Sequence, residues 1–237
     1  MSELLRGTGC LLLYFALVAS SAFLLRLFTK VPDELFRKLL HLILLGSLPV
    51  WLFAFSNWYI SALSILLFTV AVYPILCLAE GLRNYSHTVT ERSPGELKRS
   101  LLIVFTMFLL IVSVCWGWLG DRLLALTCVY AWGFGDAAAA LIGKRFGRHP
   151  LQGRHIEGRK SVEGTLAMFA LSFLSVSLLL TLRGGLSLPT LLVVSAVTAA
   201  VAAASELFSL RGNDTITCPL AAMAVLLPML HFLGGGL

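Results

Sequence analysis

Long apolar stretches recur along the whole chain and are separated by short polar segments. A transmembrane helix needs roughly 20 apolar residues, whereas a strand of a transmembrane barrel shows about ten residues of alternating character. We therefore expect an all-α polytopic transmembrane bundle with about eight spans. The stretches lie at about 10–28, 39–55, 58–79, 100–119, 122–142, 162–182, 188–208 and 216–233.

The composition excludes a soluble or disordered chain. Only 13% of the 237 residues are charged and 58% are hydrophobic, while a soluble domain carries roughly 25% charged residues. Eight spans leave no room for a separate soluble domain, so we expect a single integral membrane domain over residues 1–237. The first stretch is also compatible with a signal peptide, which would leave seven spans.

The basic residues indicate an orientation. If alternate loops share a side, all but three of the 18 Lys and Arg residues fall on one side, and the other side holds Arg6, Arg122 and Arg183. The positive-inside rule then predicts that the first side is cytoplasmic and that both termini lie opposite, in a bacterial inner membrane or the endoplasmic reticulum. The cytoplasmic set is Arg26, Lys30, Arg37, Lys38, Arg83, Arg92, Lys98, Arg99, Lys144, Arg145, Arg148, Arg154, Arg159, Lys160 and Arg211.

Two further patterns concern packing. The fifth and seventh stretches are rich in Gly and Ala, which let helix backbones approach closely, so we expect both inside the bundle. The five cysteines share no C-x-x-C spacing and four of them lie in apolar stretches. They predict buried free thiols rather than a disulfide or a zinc site.

Three acidic residues lie at positions that need explaining. Asp136 follows two glycines inside an apolar span, where a carboxylate costs about 2.5–3.5 kcal/mol and indicates function. Glu206 lies near the end of the seventh stretch and Asp214 at the start of the eighth. Together they make a plausible set of oxygen ligands for Mg²⁺. The alternatives are an ion pair with a loop cation for Asp136 and helix capping by Asn213 and Asp214.

A basic, glycine-rich segment follows Asp136 in the sequence. Glycines let a backbone approach an anion, and Lys and Arg neutralise phosphate charge, so the segment beside Asp136 predicts a polyphosphate site. The alternative is a solvated loop that only contacts anionic headgroups. The candidate phosphate-binding residues are Gly143, Lys144, Arg145, Gly147, Lys160 and Ser161.

A second basic element precedes the second apolar stretch. Arg37, Lys38 and His41 are three or four residues apart and can share one face of a helix at the membrane surface. They are candidates for a functional site or, equally, for a positive-inside anchor.

These elements, in this order, resemble the CTP-dependent lipid-alcohol kinases, a family that includes dolichol kinase, phytol kinase and a CTP-using diacylglycerol kinase. The resemblance covers residues 33–220. Asn213 replaces an acid and Thr215 an Asn of the family pattern, and Arg92 and Glu96-Leu97 are similar to a weaker motif. The motifs are Arg37-Lys38-Leu39-Leu40-His41, Gly135-Asp136 with Ala139, Gly143 and Gly147, Lys160-Ser161-Val162-Glu163-Gly164, and Asn213-Asp214-Thr215-Ile216-Thr217-Cys218-Pro219-Leu220.

The resemblance implies a reaction in which CTP and a lipid alcohol of the diacylglycerol, polyprenol or phytol type give CDP and a lipid phosphate, with Mg²⁺ and without a nucleic-acid partner. It implies that Asp136 holds Mg²⁺ and that Asp214 and Glu206 complete the metal site or accept the hydroxyl proton, with His41 as a second candidate base. Phosphate contacts would come from Lys144, Arg145, Lys160, Ser161, Gly143 and Gly147, together with Arg37 and Lys38.

Two other functions stay open at this point. A phosphatidate cytidylyltransferase, which transfers CMP to a lipid phosphate, uses similar groups, but its long Lys-Asp and His-Gly-Gly signature is absent from the sequence. In a membrane transporter, Asp136 and Glu206 would line a pathway. The clustering of polar groups on one predicted side argues against a pathway through the membrane.

Overall fold

The computed structural model describes residues 2–81, 95–153, 156, 160–209, 213–234 and 236. This part of the chain contains eight helices that are long and apolar enough to cross a membrane, which confirms the all-helical, multi-pass expectation. Arg83, Arg92, Arg154, Arg159 and Arg211 lie outside the described residues. The helices are α1 (Ser2–Phe28), α2 (Asp33–Phe53), α3 (Trp58–Glu80), α4 (Glu96–Ile111, continued as a π-helix over Val112–Trp118), α5 (Arg122–Phe146), α6 (Val162–Arg183), α7 (Leu188–Phe208) and α8 (Asp214–Phe232).

Several helices extend beyond the apolar stretches that predicted them. Helix α2 begins at Asp33 rather than near residue 39, and α5 ends at Phe146 rather than near residue 142. The added turns are polar, with acids in the first turn of α2 and Lys144 and Arg145 in the last turn of α5. Acids at the start of a helix and cations at its end interact favourably with the helix dipole. These interactions help the helix to continue beyond the apolar residues.

The chain forms two compact units, Met1–Ser113 and Val114–Leu237, and the boundary falls within the π-helical continuation of α4. In the first unit, α1 packs on α2 and α3, and α3 packs on α4. Aromatic rings fill this unit: the Trp51 indole lies edge-on to Phe68 and Phe105, with centroid distances of 5.6 and 6.5 Å.

In the second unit, α5 contacts α6, α7 and α8. Of the most apolar window of α5, 61% of the residues are buried, compared with 11% in α1. This confirms the expectation that the Gly- and Ala-rich fifth span is interior. In the corresponding window of α7, 39% of the residues are buried, the same share as in α2. The Gly- and Ala-rich seventh span is therefore only partly interior.

All five cysteines are free, and Cys115, Cys128 and Cys218 are buried as predicted. Cys10 and Cys77 are exposed instead, on α1 and α3. The prediction was wrong for these two because, in a membrane protein, an apolar stretch contains both residues that face other helices and residues that face outward.

Candidate functional site

The glycines of the Gly-Asp element lie where α5 packs against α6. A Cβ atom added to Gly135 would lie 3.1 Å from the carbonyl oxygen of Met168, and one added to Gly143 would lie 3.4 Å from the Cα of Gly164. Gly135 and Gly143 are eight residues apart and therefore lie near one face of α5. Gly147, the residue that follows α5, continues the four-residue spacing. The missing side chains therefore allow the close approach of α6. An approach of phosphate to Gly143 and Gly147 stays a prediction.

Asp136 lies beside this helix contact, roughly three turns before the end of α5. Its side chain is buried, with a relative exposure of 8%. This low exposure places the Asp136 side chain in the interior of the second unit. Its position inside an apolar span is as the sequence indicated.

Two backbone hydrogen bonds join the two ends of the segment between α5 and α6. The N–H of Leu151 donates to the carbonyl of Lys160 at 2.8 Å, and the N–H of Val162 donates to the carbonyl of His149 at 3.0 Å. Ser161 is buried and caps α6, because its hydroxyl accepts from the N–H of Gly164 at 3.2 Å. The segment thus begins and ends at fixed positions beside the end of α5.

Lys160 makes its side-chain contacts with the end of α7. Its ammonium group donates to the carbonyl of Glu206 and, at 3.2 Å, to the carbonyl of Leu207. It also forms an ion pair with the Glu206 carboxylate, with 3.1 Å between Nζ and Oε1. The sequence placed Lys160 and Glu206 in the same site, and the structure brings them into direct contact.

The three predicted acids gather in the second unit. The carboxylates of Asp136 and Asp214 both lie within electrostatic range of Glu206. Asp214 is in the first turn of α8, whose start is held by the carbonyl of Asn213, which accepts from the N–H groups of Ile216 and Thr217 at 3.1 and 3.0 Å. Asn213 occupies the cap position, but within the described residues its side chain makes no capping hydrogen bond.

The cations after Asp136 are more accessible. Lys144 and Arg145 are exposed in the last turn of α5, and the Arg145 guanidinium lies 5.3 Å from the ring centroid of Phe146. Both are accessible to solvent at the end of the helix, and their contact with phosphate stays a prediction. Arg154 and Arg159, which also belong to the basic segment, lie outside the described residues.

The Arg-Lys-x-x-His element lies in the first unit, on the first turns of α2. The Arg37 guanidinium contacts the carboxylate of Glu34 at 2.5 Å and that of Glu96 at 3.7 Å. Lys38 and His41 are half-buried on the same helix. The structure thus confirms that the element is helical, and it pairs the first basic residue with Glu96 of the weaker motif.

Two contacts in the second unit were not predicted. The His149 ring lies 2.7 Å from the Glu163 carboxylate, measured from Nδ1 to Oε1. The other contact joins the start of α5 and the end of α6, away from Glu206, where the Arg183 guanidinium donates to the Asp121 carboxylate at 2.5 Å. Ser161 and Glu163 are a cap residue and a first-turn acid, which could have indicated the start of α6 but not the contact with His149.

The arrangement places acids and cations at one end of the second unit, which suits the binding of a phosphate group together with a divalent cation. Among the residues that the structure describes, no group of three His, Cys, Asp or Glu side chains is close enough to hold a metal ion. Mg²⁺ is usually bound by one or two carboxylates plus waters and substrate phosphates rather than by an all-protein cage. One or two of the carboxylates of Asp136, Glu206 and Asp214 would suit that kind of site.

A comparison with known proteins is consistent with this chemistry. The chain is 30% identical to a phytol kinase from Synechocystis sp. in an alignment of 228 positions that covers 92% of this chain and 89% of that protein. No protein-family model matches the chain. No solved structure matches it either. The extent and the identity of the match show that the chain belongs to the family of lipid-alcohol kinases, the membrane phosphotransferases that have an alcohol group as acceptor.

Proposed function

We propose that this protein transfers the γ-phosphoryl group of CTP to the hydroxyl group of a membrane lipid alcohol, and that the alcohol is an isoprenoid of the phytol type. The similarity to phytol kinase over nearly the whole chain is the observation that carries this proposal. The choice of CTP as donor rests on the four ordered motifs, which resemble those of the CTP-dependent kinases.

The chemistry asks mainly for positioning and charge. Phosphoryl transfer passes through a loose transition state, so the protein must align the two reactants and neutralise the phosphate oxygens. Lys144 and Arg145 would hold the triphosphate, since both are exposed at the end of α5. Asp136, with Asp214 or Glu206, would hold a Mg²⁺ ion, which supplies positive charge to the phosphates.

In the transfer, the hydroxyl oxygen of the lipid forms a bond with the γ-phosphorus. The bond between that phosphorus and the bridging oxygen of the β-phosphate breaks, and CDP leaves. The hydroxyl proton passes to a carboxylate, for which Asp214 and Glu206 are the candidates in the second unit. The roles of Arg37, Lys38, His41 and Ser161 stay predictions from the motifs.

The same proposal includes an orientation. The surplus of Lys and Arg on one set of loops supports a cytoplasmic position for the charged end of the second unit, where CTP is available. The hydroxyl group of the lipid would then meet the nucleotide at the membrane surface, and its hydrocarbon chain would stay within the bilayer.

The test is phosphoryl transfer by the purified protein in lipid nanodiscs. CTP labelled at the γ-phosphate should label phytol in the presence of Mg²⁺, and CTP labelled at the α-phosphate should not. Diacylglycerol, a polyprenol and ATP are tested in parallel to define acceptor and donor. Label from the α-phosphate in a lipid product would indicate cytidylyl transfer, and no labelled lipid with any pair would overturn the proposal.

A further inference from the structure

The ammonium group of Lys160 is fully engaged by the end of α7. A lysine ammonium has three N–H donors and no acceptor. Three acceptors surround it here: the carbonyl oxygens of Glu206 and Leu207, and Oε1 of the Glu206 carboxylate. In this arrangement no donor of Lys160 is left over for a phosphate oxygen.

The partners of Lys160 are groups that need a cation. The last carbonyl oxygens of a helix have no partner within the helix and carry partial negative charge, so a basic side chain there is stabilising. The pair with Glu206 is also mostly removed from solvent, with side-chain exposures of 18% for Lys160 and 14% for Glu206. Charge-assisted hydrogen bonds of this kind are shorter and stronger than neutral ones.

The backbone that carries Lys160 is itself held in place. Its carbonyl accepts from the N–H of Leu151, and the next residue, Ser161, caps α6. Through its side chain, Lys160 therefore joins the start of α6 to the end of α7. The group that it fixes, the Glu206 carboxylate, lies within electrostatic range of Asp136 and Asp214.

We propose that Lys160 is a positioning residue that acts through Glu206, and that it is not a ligand of the nucleotide phosphates. It keeps the Glu206 carboxylate within electrostatic range of Asp136 and Asp214, and it keeps the end of α7 in register with α6. This inference rests on the proposed function for its catalytic consequence. It assigns to Lys160 a different role from the triphosphate contact that the motif alone implied.

The experiment compares steady-state kinetics, with CTP and phytol, of the wild type, Lys160→Met, Glu206→Gln, the double variant and Lys160→Arg. A misplaced site commonly costs up to about 10²-fold in rate, so Lys160→Met should lower kcat by roughly 10- to 100-fold. The KM for CTP should change by less than about twofold, since no phosphate contact is lost. Lys160→Arg, which keeps the charge and several donors, should recover part of kcat.

The double variant tests whether Lys160 works through Glu206. Once Glu206→Gln is present, Lys160→Met should lower kcat little further, because residues that share one interaction are not additive. Thermal unfolding of the same proteins gives a readout that does not depend on turnover. Each single change should lower the Tm, and the sum of the two decreases should exceed the decrease in the double variant.

Three outcomes would overturn the inference: a CTP KM raised tenfold or more with kcat preserved, additive effects on kcat, or additive effects on the Tm. If Lys160→Met does not fold, Lys160→Gln, alone and combined with Glu206→Gln, gives the same comparison. If the wild type transfers no phosphoryl group, the proposed function fails separately. Equilibrium binding of CTP to the wild type and Lys160→Met then decides, since a loss of affinity in the variant would show a phosphate contact.

Discussion

Gly143 and Gly164 face each other across α5 and α6 so closely that a Cβ atom added to Gly164 would lie 3.3 Å from the Cα of Gly143. The same added atom would lie 3.0 Å from the carbonyl oxygen of Ala139. Within a bilayer no hydrophobic force drives helices together, so close backbone packing of this kind supplies much of their attraction. The helix that carries Asp136 is thereby held against α6, the helix that Ser161 caps.

Gly164→Ala should therefore destabilise the protein. The new methyl group meets two backbone positions, which cannot move aside as a flexible side chain can, and overpacking of this kind costs about 1–3 kcal/mol. Thermal unfolding of the purified protein measures the change. Gly9→Ala is the matched control, because a Cβ atom there has nothing within 4 Å. A Tm for Gly164→Ala equal to that of the control would contradict the packing role.

Much of the fold could be predicted from hydropathy alone, because a bilayer leaves few choices to a chain with eight apolar stretches. The helix ends could not, since the polar turns at Asp33 and Phe146 carry no apolar signal. The π-helical segment Val112–Trp118 had no sequence signal either. A change from α to π geometry depends on how neighbouring side chains pack, and the pattern of residue types does not record that.

The candidate site was predictable as a set of residues but less so as a set of contacts. Acids inside apolar spans and a basic segment after Asp136 both indicated phosphate chemistry. The contact of Lys160 with Glu206 joins residues 46 positions apart and depends on how α6 and α7 pack. The glycines illustrate the same limit, since a four-residue spacing fits a phosphate approach and a helix contact equally well, and the structure shows the helix contact.

Asp136→Asn should abolish phosphoryl transfer while the protein still expresses and folds. The change removes the negative charge that a Mg²⁺ ion would require, and it keeps the size of a side chain that is 8% exposed. The assay is transfer from γ-labelled CTP to phytol, with thermal unfolding as the check on folding. Asp33→Asn provides a control of equal chemistry at an exposed carboxylate that pairs with Arg26. Activity near that of the wild type in Asp136→Asn would remove the metal role.

Replacing both Lys144 and Arg145 with Ala should weaken nucleotide binding. Hydrogen bonds to charged groups contribute about 1.5–3 kcal/mol each, so the loss should raise the KM for CTP by roughly tenfold or more. Because both side chains are exposed, the Tm should hardly change. Lys30→Ala, which removes one exposed cation outside the motifs, should leave the KM unchanged. An unaltered KM in the double variant would mean that this basic segment serves only to orient the protein.

Asp121 lies at the start of α5, away from the three acids, and pairs with Arg183 at the end of α6. We expect this end of the second unit to contribute only to stability. Its carboxylate accepts from the N–H groups of Leu123 and Leu124 at 2.9 and 3.1 Å, which caps α5, and it accepts from Arg183 at 2.5 Å. Arg183 also donates to the carbonyl of Gly236 at 2.7 Å, so the pair of Asp121 and Arg183 connects the start of α5, the end of α6 and the C-terminal segment.

Two substitutions separate these contributions. Asn retains a capping oxygen and loses the charge, whereas Ala loses both, so Asp121→Ala should be less stable than Asp121→Asn by about 1 kcal/mol, the usual value of a helix cap. Both should be less stable than the wild type, because the Arg183 side chain is only 11% exposed and would lose its ionic partner. Thermal unfolding measures the order of the three proteins. Transfer from CTP to phytol, measured well below the Tm, should keep its wild-type kcat in both variants, and a loss of kcat at unchanged stability would show that this end of the unit contributes to the reaction.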